Sequence, residues 1–231
     1  MPGYQTTQAQ VPIDGAESLL ICSLLDRQQY ADPRGEAAAL GISSAAWPLF
    51  GVLWPSAFEL AARMARRPMV ASERILEVGC GLALASLVSH RRGADVTASD
   101  CHPLASFFLS RNVGLNGLLP LRYRHGDWQA QAGALPHGAA PAVQGRFDLI
   151  IGSDVLYERD EAGHLPDFID RHASASAEVL IVDPNRGNRV AFNRRMRQAG
   201  FVLQETRLGT GATGTDGYRG RLLRYTKESD D

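Results

Sequence analysis

Two glycines separated by one residue interrupt an apolar run in Leu76-Glu77-Val78-Gly79-Cys80-Gly81-Leu82-Ala83. Where a strand turns into a helix, Gly79 and Gly81 let the backbone approach a ligand closely. Charge decides which ligand. A dinucleotide fingerprint starting at Gly79 needs a third glycine where Leu84 stands, and a Walker loop needs Gly-Lys-Ser/Thr, which does not follow. Glu77 at the strand end repels a pyrophosphate and attracts an ammonium and a sulfonium, which favours S-adenosylmethionine over NAD or ATP. Asp100 ends the next strand, where an acid accepts hydrogen bonds from ribose hydroxyls, and Asp127 ends the strand region after that, placed to meet an adenine amino group. Three acids at three successive strand ends describe one crevice. Cys80 is expected to fill a small space in the loop rather than react, and Trp128 to stack near adenine or seal the pocket. Ser153-Asp154-Val155-Leu156-Tyr157 follows a further apolar run, so Ser153 and Asp154 sit at the same sheet edge, where a nucleophile arrives.

From Arg74 onward, short apolar runs alternate with helix-like stretches, the pattern of parallel strands joined by crossover helices. Strands are expected over 75–78, 95–99, 121–125, 147–151, 179–182, 201–206 and 222–225, and helices over 82–92, 103–116, 165–172 and 189–199. The last two strands flank a Gly/Thr run and read as an antiparallel hairpin. The Ala/Gly/Pro-rich stretch 129–146 has little periodicity. The first 73 residues show no strand alternation, and two amphipathic helices are expected there, over 18–28 and over 56–64 behind Trp54-Pro55. The expected organisation is an N-terminal helical extension or cap, 1–73, on a core, 74–231, in one domain overall.

The chain has 231 residues, 45% hydrophobic and 21% charged, with 24 basic against 25 acidic residues and a net charge of −1. So weak an overall field argues against strong attraction to phosphate backbones, and Arg189, Arg194, Arg195 and Arg197 are read as a solvated helix face. Three cysteines, Cys22, Cys80 and Cys101, form no C-x-x-C pair, which fits a reducing compartment. No apolar run reaches the roughly 18 residues of a membrane span, and the first ten residues are polar, so a soluble cytoplasmic protein is expected. The six histidines have neither metal-ligand spacing nor a paired nucleophile; they are read as surface or capping residues, and no metal site is expected.

Glu77-Val78-Gly79-Cys80-Gly81, Asp100, Gly126-Asp127-Trp128 and the run from Phe147 to Tyr157 together resemble the seven-strand class I S-adenosylmethionine-dependent methyltransferases. The match is to the branch of protein-lysine methyltransferases with an Asp-x-x-Tyr motif after the fourth strand. Leu53-Trp54-Pro55-Ser56 and Asn112-Val113-Gly114-Leu115-Asn116 also resemble that branch, and Asp183-Pro184-Asn185-Arg186 is similar to a loop in enzymes acting on the β subunit of electron transfer flavoprotein. The resemblance covers roughly residues 47–206. It departs from the family at Ala83, where many such loops carry a third glycine; alanine is small enough to keep cofactor binding.

The resemblance implies an α/β, Rossmann-like, seven-stranded and mostly parallel sheet with a C-terminal antiparallel hairpin, and an N-methyltransferase that converts S-adenosylmethionine to S-adenosylhomocysteine. Asp154 and Tyr157 become the catalytic candidates. Trp54, Glu77, Gly79, Cys80, Gly81, Asp100, Asp127, Trp128 and Ser153 become the cofactor-binding candidates. Lysine, with a reference pKa of about 10.4, is protonated near neutrality and cannot attack a methyl group, so Asp154 is read as orienting the amine and assisting its deprotonation. Tyr157 and Trp54 offer aromatic surface to the amine or sulfonium. A protein substrate, with no membrane and no nucleic-acid partner, is the leading reading. The rivals are a small-molecule or nucleic-acid methyltransferase of the same fold, and a cofactor-binding regulatory module without catalysis.

Overall fold

A computed structural model of the chain describes residues 3–129, 140–157, 160–209 and 217–227. The apolar runs after Arg74 become parallel strands: β3 (Arg74–Glu77), β4 (Asp95–Asp100), β5 (Arg122–His125), β6 (Phe147–Ser153) and β7 (Ala173–Asp183). Two antiparallel strands, β8 (Phe201–Leu208) and β9 (Gly220–Lys227), complete a seven-stranded sheet in the order β5-β4-β3-β6-β7-β9-β8. Helices α3 (Leu84–Arg91), α4 (Ala105–Leu115), α5 (His164–His172) and α6 (Arg189–Gln198) connect them. The chain winds outward from β3 to β5 and then returns to lay β6 on the other side of β3, which makes the β3/β6 boundary the switch point. Crevices for ligands open there, beyond the carboxyl ends of the strands.

Both faces of the sheet are covered, which explains why its central strands read as continuous apolar runs. Ile75, Leu149, Ile151 and Val182 pack with α3 and α4, while Leu76, Val78, Ile150 and Ile181 pack with α5 and α6. The shared register Ile75↔Leu149 and Glu77↔Ile151 puts the end of β3 beside the end of β6, and Ser153↔Val182 carries the alignment on to β7. A one-residue slip would exchange the two faces, so the apolar pattern fixes where Glu77, Asp154 and Asp183 emerge.

The N-terminal region departs from the expected helical extension. Residues 18–24, placed in a helix over 18–28 from the sequence, belong instead to strand β2 (Ala16–Leu24), which pairs antiparallel with β1 (Thr6–Ile13). Leu19, Ile21, Cys22 and Leu24 are all buried, so the segment shows neither a clean two-residue nor a clean helical period. The turn decides between them: Asp14-Gly15 joins the paired Ile13 and Ala16 as a two-residue loop, with Gly15 at φ +87°. Among the described residues, helical structure in this region is limited to α1 (Glu36–Ala39), a 3-10 turn at Trp47–Gly51, and α2 (Pro55–Arg66), the second expected helix. Val11, Ile13, Leu19 and Ile21 share one buried cluster with Trp47, Leu84 and Phe108, so the hairpin is packed into the core rather than laid over it.

Candidate active site

At the end of β3 the backbone enters left-handed conformation twice, at Gly79 (φ +58°) and Gly81 (φ +50°). A Cβ on Gly79 would lie 2.9 Å from Val155 and 3.3 Å from the Trp128 ring; one on Gly81 would lie 2.9 Å from the Phe50 carbonyl oxygen. The loop thus threads between the segment after β6, the segment after β5 and the 3-10 turn, and only glycine permits those approaches. Cys80 between them donates its N–H to the Ser99 carbonyl (2.9 Å) and is itself buried, which pushes its thiol well above the usual range and leaves it unreactive.

The acids take distinct places around this loop. Glu77, 3% exposed, accepts the Ser86 N–H (2.9 Å) and the Ser86 hydroxyl. It serves the first turn of α3, whose N-cap, Ala83, is left-handed (φ +58°) and has no side-chain oxygen to offer. Burial pushes the Glu77 carboxyl up to about 7, opposed by the Ser86 bonds and reinforced by nearby Asp100. Asp100 accepts the Gly81 N–H and the His102 N–H, each at 2.8 Å, tying the glycine loop to the end of β4; burial raises its carboxyl above the ordinary value against those bonds. Asp127 is half-buried past β5 and accepts the Gln129 N–H (2.9 Å). Trp128 stands over Gly79, with its indole Nε1 buried and without a partner among the described residues.

Beyond β6, Asp154 adopts φ +54°, donates its N–H to the Val182 carbonyl, and holds a 9% exposed side chain at the sheet edge. Both its oxygens accept from one guanidinium: Arg186 Nε at 2.8 Å and Nη2 at 3.1 Å. Asp183, fully buried at the end of β7, accepts the Arg186 N–H through Oδ2 (2.9 Å). Tyr218 reaches this group from ahead of β9; its hydroxyl meets that of Ser56 at 2.9 Å, and burial pushes it up to about 12. Sequence reading missed Arg186 and Tyr218 as site residues. Arg186 had a signal, since it lies three positions after a strand-terminal acid, whereas Tyr218 follows a Gly/Thr run that has none.

Tyr157 is 46% exposed and, with Trp128, Val155, Leu156, Leu165 and Phe192, borders a pocket of about 430 Å³ between the loop after β6 and helices α5 and α6. Trp54 is set apart: its Nε1–H donates to the Leu49 carbonyl (2.9 Å), and the Arg27 guanidinium lies 5.5 Å from its ring. Ser153, half-buried, is the last residue of β6. The structure therefore gathers Gly79, Gly81, Asp100, Trp128 and Asp154 around one set of strand ends, while Glu77 serves α3 and Trp54 the 3-10 turn.

Three of the histidines read as surface or capping residues, His102, His125 and His172, are buried. His102 stacks on Phe50 at 3.7 Å, and burial pushes it down to about 3, so it stays neutral.

The residues present fit a cationic adenosyl ligand. Gly79 and Gly81 hold the backbone in a turn where protein atoms leave no room for a side chain, the side chains at the strand ends are acidic, and the nearby Trp128 indole N–H is buried with no acceptor among the described residues. A sequence profile of the lysine methyltransferase family matches residues 48–198. The chain belongs to the lysine methyltransferase family. Among relatives in this family, the electron transfer flavoprotein beta subunit lysine methyltransferase of Mus musculus is 28% identical over 142 residues, 60% of this chain and 51% of the relative. Protein N-lysine methyltransferase METTL21A of Danio rerio is 26% identical over 137 residues, 58% of this chain and 59% of the relative. The chain thus spans about half the length of the relatives it matches. Among solved structures, the ribosomal protein L11 methylase of Lactobacillus delbrueckii subsp. bulgaricus superposes with a TM-score of 0.55 at 20% identity, covering 77% of this chain and 81% of that one, and shows the shared fold. The family match begins at the second residue of the 3-10 turn and ends with α6, so β1, β2, β8 and β9 lie outside it.

Proposed function

We propose that this protein transfers a methyl group from S-adenosylmethionine to the side-chain amine of a lysine in a protein. The observation that carries this is Asp154: a buried carboxylate in left-handed backbone at the end of β6, one strand over from the glycine loop, in a chain of the lysine methyltransferase family. The backbone at Gly79 and Gly81 with Cys80 would cradle the cofactor, Asp100 would take the ribose hydroxyls and Asp127 the adenine amino group. Trp128 would lie against the adenine, and Ser153 would border the methyl-bearing end. Glu77 contributes through α3, by holding the loop it follows. Bound S-adenosylmethionine supplies an electrophilic methyl on a sulfonium. Asp154 orients the arriving amine, Tyr157 offers it an aromatic face, and the remaining task is in-line positioning of the nitrogen lone pair.

A reducing, cytoplasmic setting is supported by three free cysteines, two of them buried. No described helix is long and apolar enough to cross a membrane. The electron transfer flavoprotein β subunit is the first candidate substrate to try, because a relative is named for it.

The deciding experiment incubates the pure protein with methyl-labelled S-adenosylmethionine and a heat-treated cell extract. Label released by protease and recovered as methyl-lysine after acid hydrolysis supports the reading; label lost to nuclease, or found only in small metabolites, overturns it. Asp154→Ala is expected to lower transfer at least about a hundredfold, the scale of a misplaced reactant, with cofactor Kd within about twofold by calorimetry. Asp100→Ala is expected to weaken cofactor binding about tenfold or more, as loss of charge-assisted hydrogen bonds does.

A further inference from the structure

Resting on the lysine reading above, we propose that Arg186 is a positioning residue that lets Asp154 orient the substrate amine without trapping it as an ammonium. A lone buried carboxylate is a poor partner for a reaction that needs the neutral amine, because an opposite charge within a few ångströms stabilises the protonated form by about 1–3 pK units. The Arg186 fork changes that balance. It takes one lone-pair site on each oxygen of Asp154, at 2.8 and 3.1 Å, and leaves the others as acceptors for an amine N–H. It also cancels the carboxylate's charge with a group that does not titrate.

The loop is built to present that fork. Asp183 accepts the Arg186 N–H, and Asn185 sits in left-handed backbone (φ +65°). The Asn185 amide donates to the Arg219 carbonyl (3.3 Å) and accepts from Arg221 Nε (3.0 Å), which fastens the turn to the start of β9. Asp183 at the end of β7 and Tyr218 ahead of β9 also face Asp154, and they in turn lie near Arg189 at the start of α6 and Glu59 on α2 respectively. Arg189 pairs with Glu205 at 3.0 Å, and Tyr218 meets the Ser56 hydroxyl. Arg186 is the group that places a positive charge directly on the carboxylate.

In the step this serves, the ammonium gives its proton to water. The freed lone pair then forms the N–C bond as the C–S bond breaks and leaves its electrons on sulfur.

The test measures initial rates of label transfer into the protein fraction of a heat-treated extract, against extract concentration and from pH 6 to 10, for wild type, Arg186→Ala, Arg186→Gln, Arg186→Lys and Asp154→Ala. Melting temperature and cofactor Kd are measured alongside. Arg186→Ala and Arg186→Gln are expected to lower the maximal rate about tenfold or more without raising the half-saturating extract concentration, and to move the alkaline-going rise of the rate upward by about one pH unit or more. Arg186→Lys keeps the charge but not the fork, so the rise returns to its wild-type position while the maximal rate recovers only in part. Wild-type rate and profile in Arg186→Ala overturn the role of Arg186, as does an equal defect in the Lys and Gln variants, which marks a purely structural residue. If Arg186→Ala melts before assay, the Lys and Gln variants decide the question by the same comparison. An active Asp154→Ala, or no label with wild type, overturns instead the reading on which this one rests.

Discussion

At the scale of single residues, side chains of one type do different work according to their neighbours. Glu77 and Asp100 were grouped in the sequence as acids at successive strand ends, and spacing alone could not show that Glu77 turns to Ser86 while Asp100 reaches the loop amide of Gly81. The buried Glu77 has a pH signature. Its folded pKa of about 7 lies above its ordinary 4.5, so its stabilising contribution is full below about 4.5 and is lost as pH rises through 7. The difference is on the order of 3 kcal/mol. The ligand-free wild type is expected to melt close to Glu77→Gln at pH 4.5 and several degrees below it at pH 8; parallel melting temperatures across that range would refute the assignment. Gly81→Ala tests the loop from the other side. An L-residue at φ +50° costs about 1–2 kcal/mol, and its Cβ would meet the fixed Phe50 carbonyl at 2.9 Å. Lower melting temperature together with weaker cofactor binding by calorimetry is the expected result.

At the scale of elements, the motif Asn112-Val113-Gly114-Leu115-Asn116 gains a physical meaning. Asn112 in α4 and Asn116 at its C-cap, four residues apart, project on one side, and their amides act in place of a third strand along the edge of β2. Asn112 accepts the Cys22 N–H at 2.8 Å and donates to its carbonyl at 3.3 Å; Asn116 does the same for Leu20, at 2.8 Å both ways. Removing either amide leaves a backbone donor and acceptor unpaired, at about 1–3 kcal/mol. Asn112→Ala is expected to speed hydrogen exchange at the Cys22 amide and Asn116→Ala at Leu20, while the amides of β3 and β6 keep their protection. Uniform exchange across both groups would show that the asparagines do not fasten the hairpin. The spacing of the two residues was visible in the sequence; their partners, some ninety positions earlier, were not, because nothing local marks Leu20 and Cys22 as an edge.

For the whole molecule, the hairpin is expected to be indispensable. Val11, Ile13, Leu19, Ile21 and Leu24 are each at most 5% exposed in the cluster that holds Trp47 and Phe108. Burial at about 1.5–3 kcal/mol per side chain is, in sum, of the order of a whole domain's net stability of about 5–15 kcal/mol. A chain starting at residue 26 is expected to be insoluble or to lose its cooperative melting transition; one that melts like the full chain would show the hairpin to be a detachable cap. By itself, the sequence determined the parallel sheet, its closing antiparallel hairpin and the glycine loop, because buried strands, crossover helices and positive-φ turns each impose a local composition. It also marked Asp100, Asp127 and Asp154 as acids at or just past strand ends, since each closes a strand-like run where the chain turns. Only the tertiary structure decided that residues 16–24 are a strand, that Glu77 serves α3, and that Arg186 and Tyr218 join Asp154. Those outcomes depend on which distant backbone or side chain meets each group, and such meetings arise from packing between elements rather than from the order of residues within one.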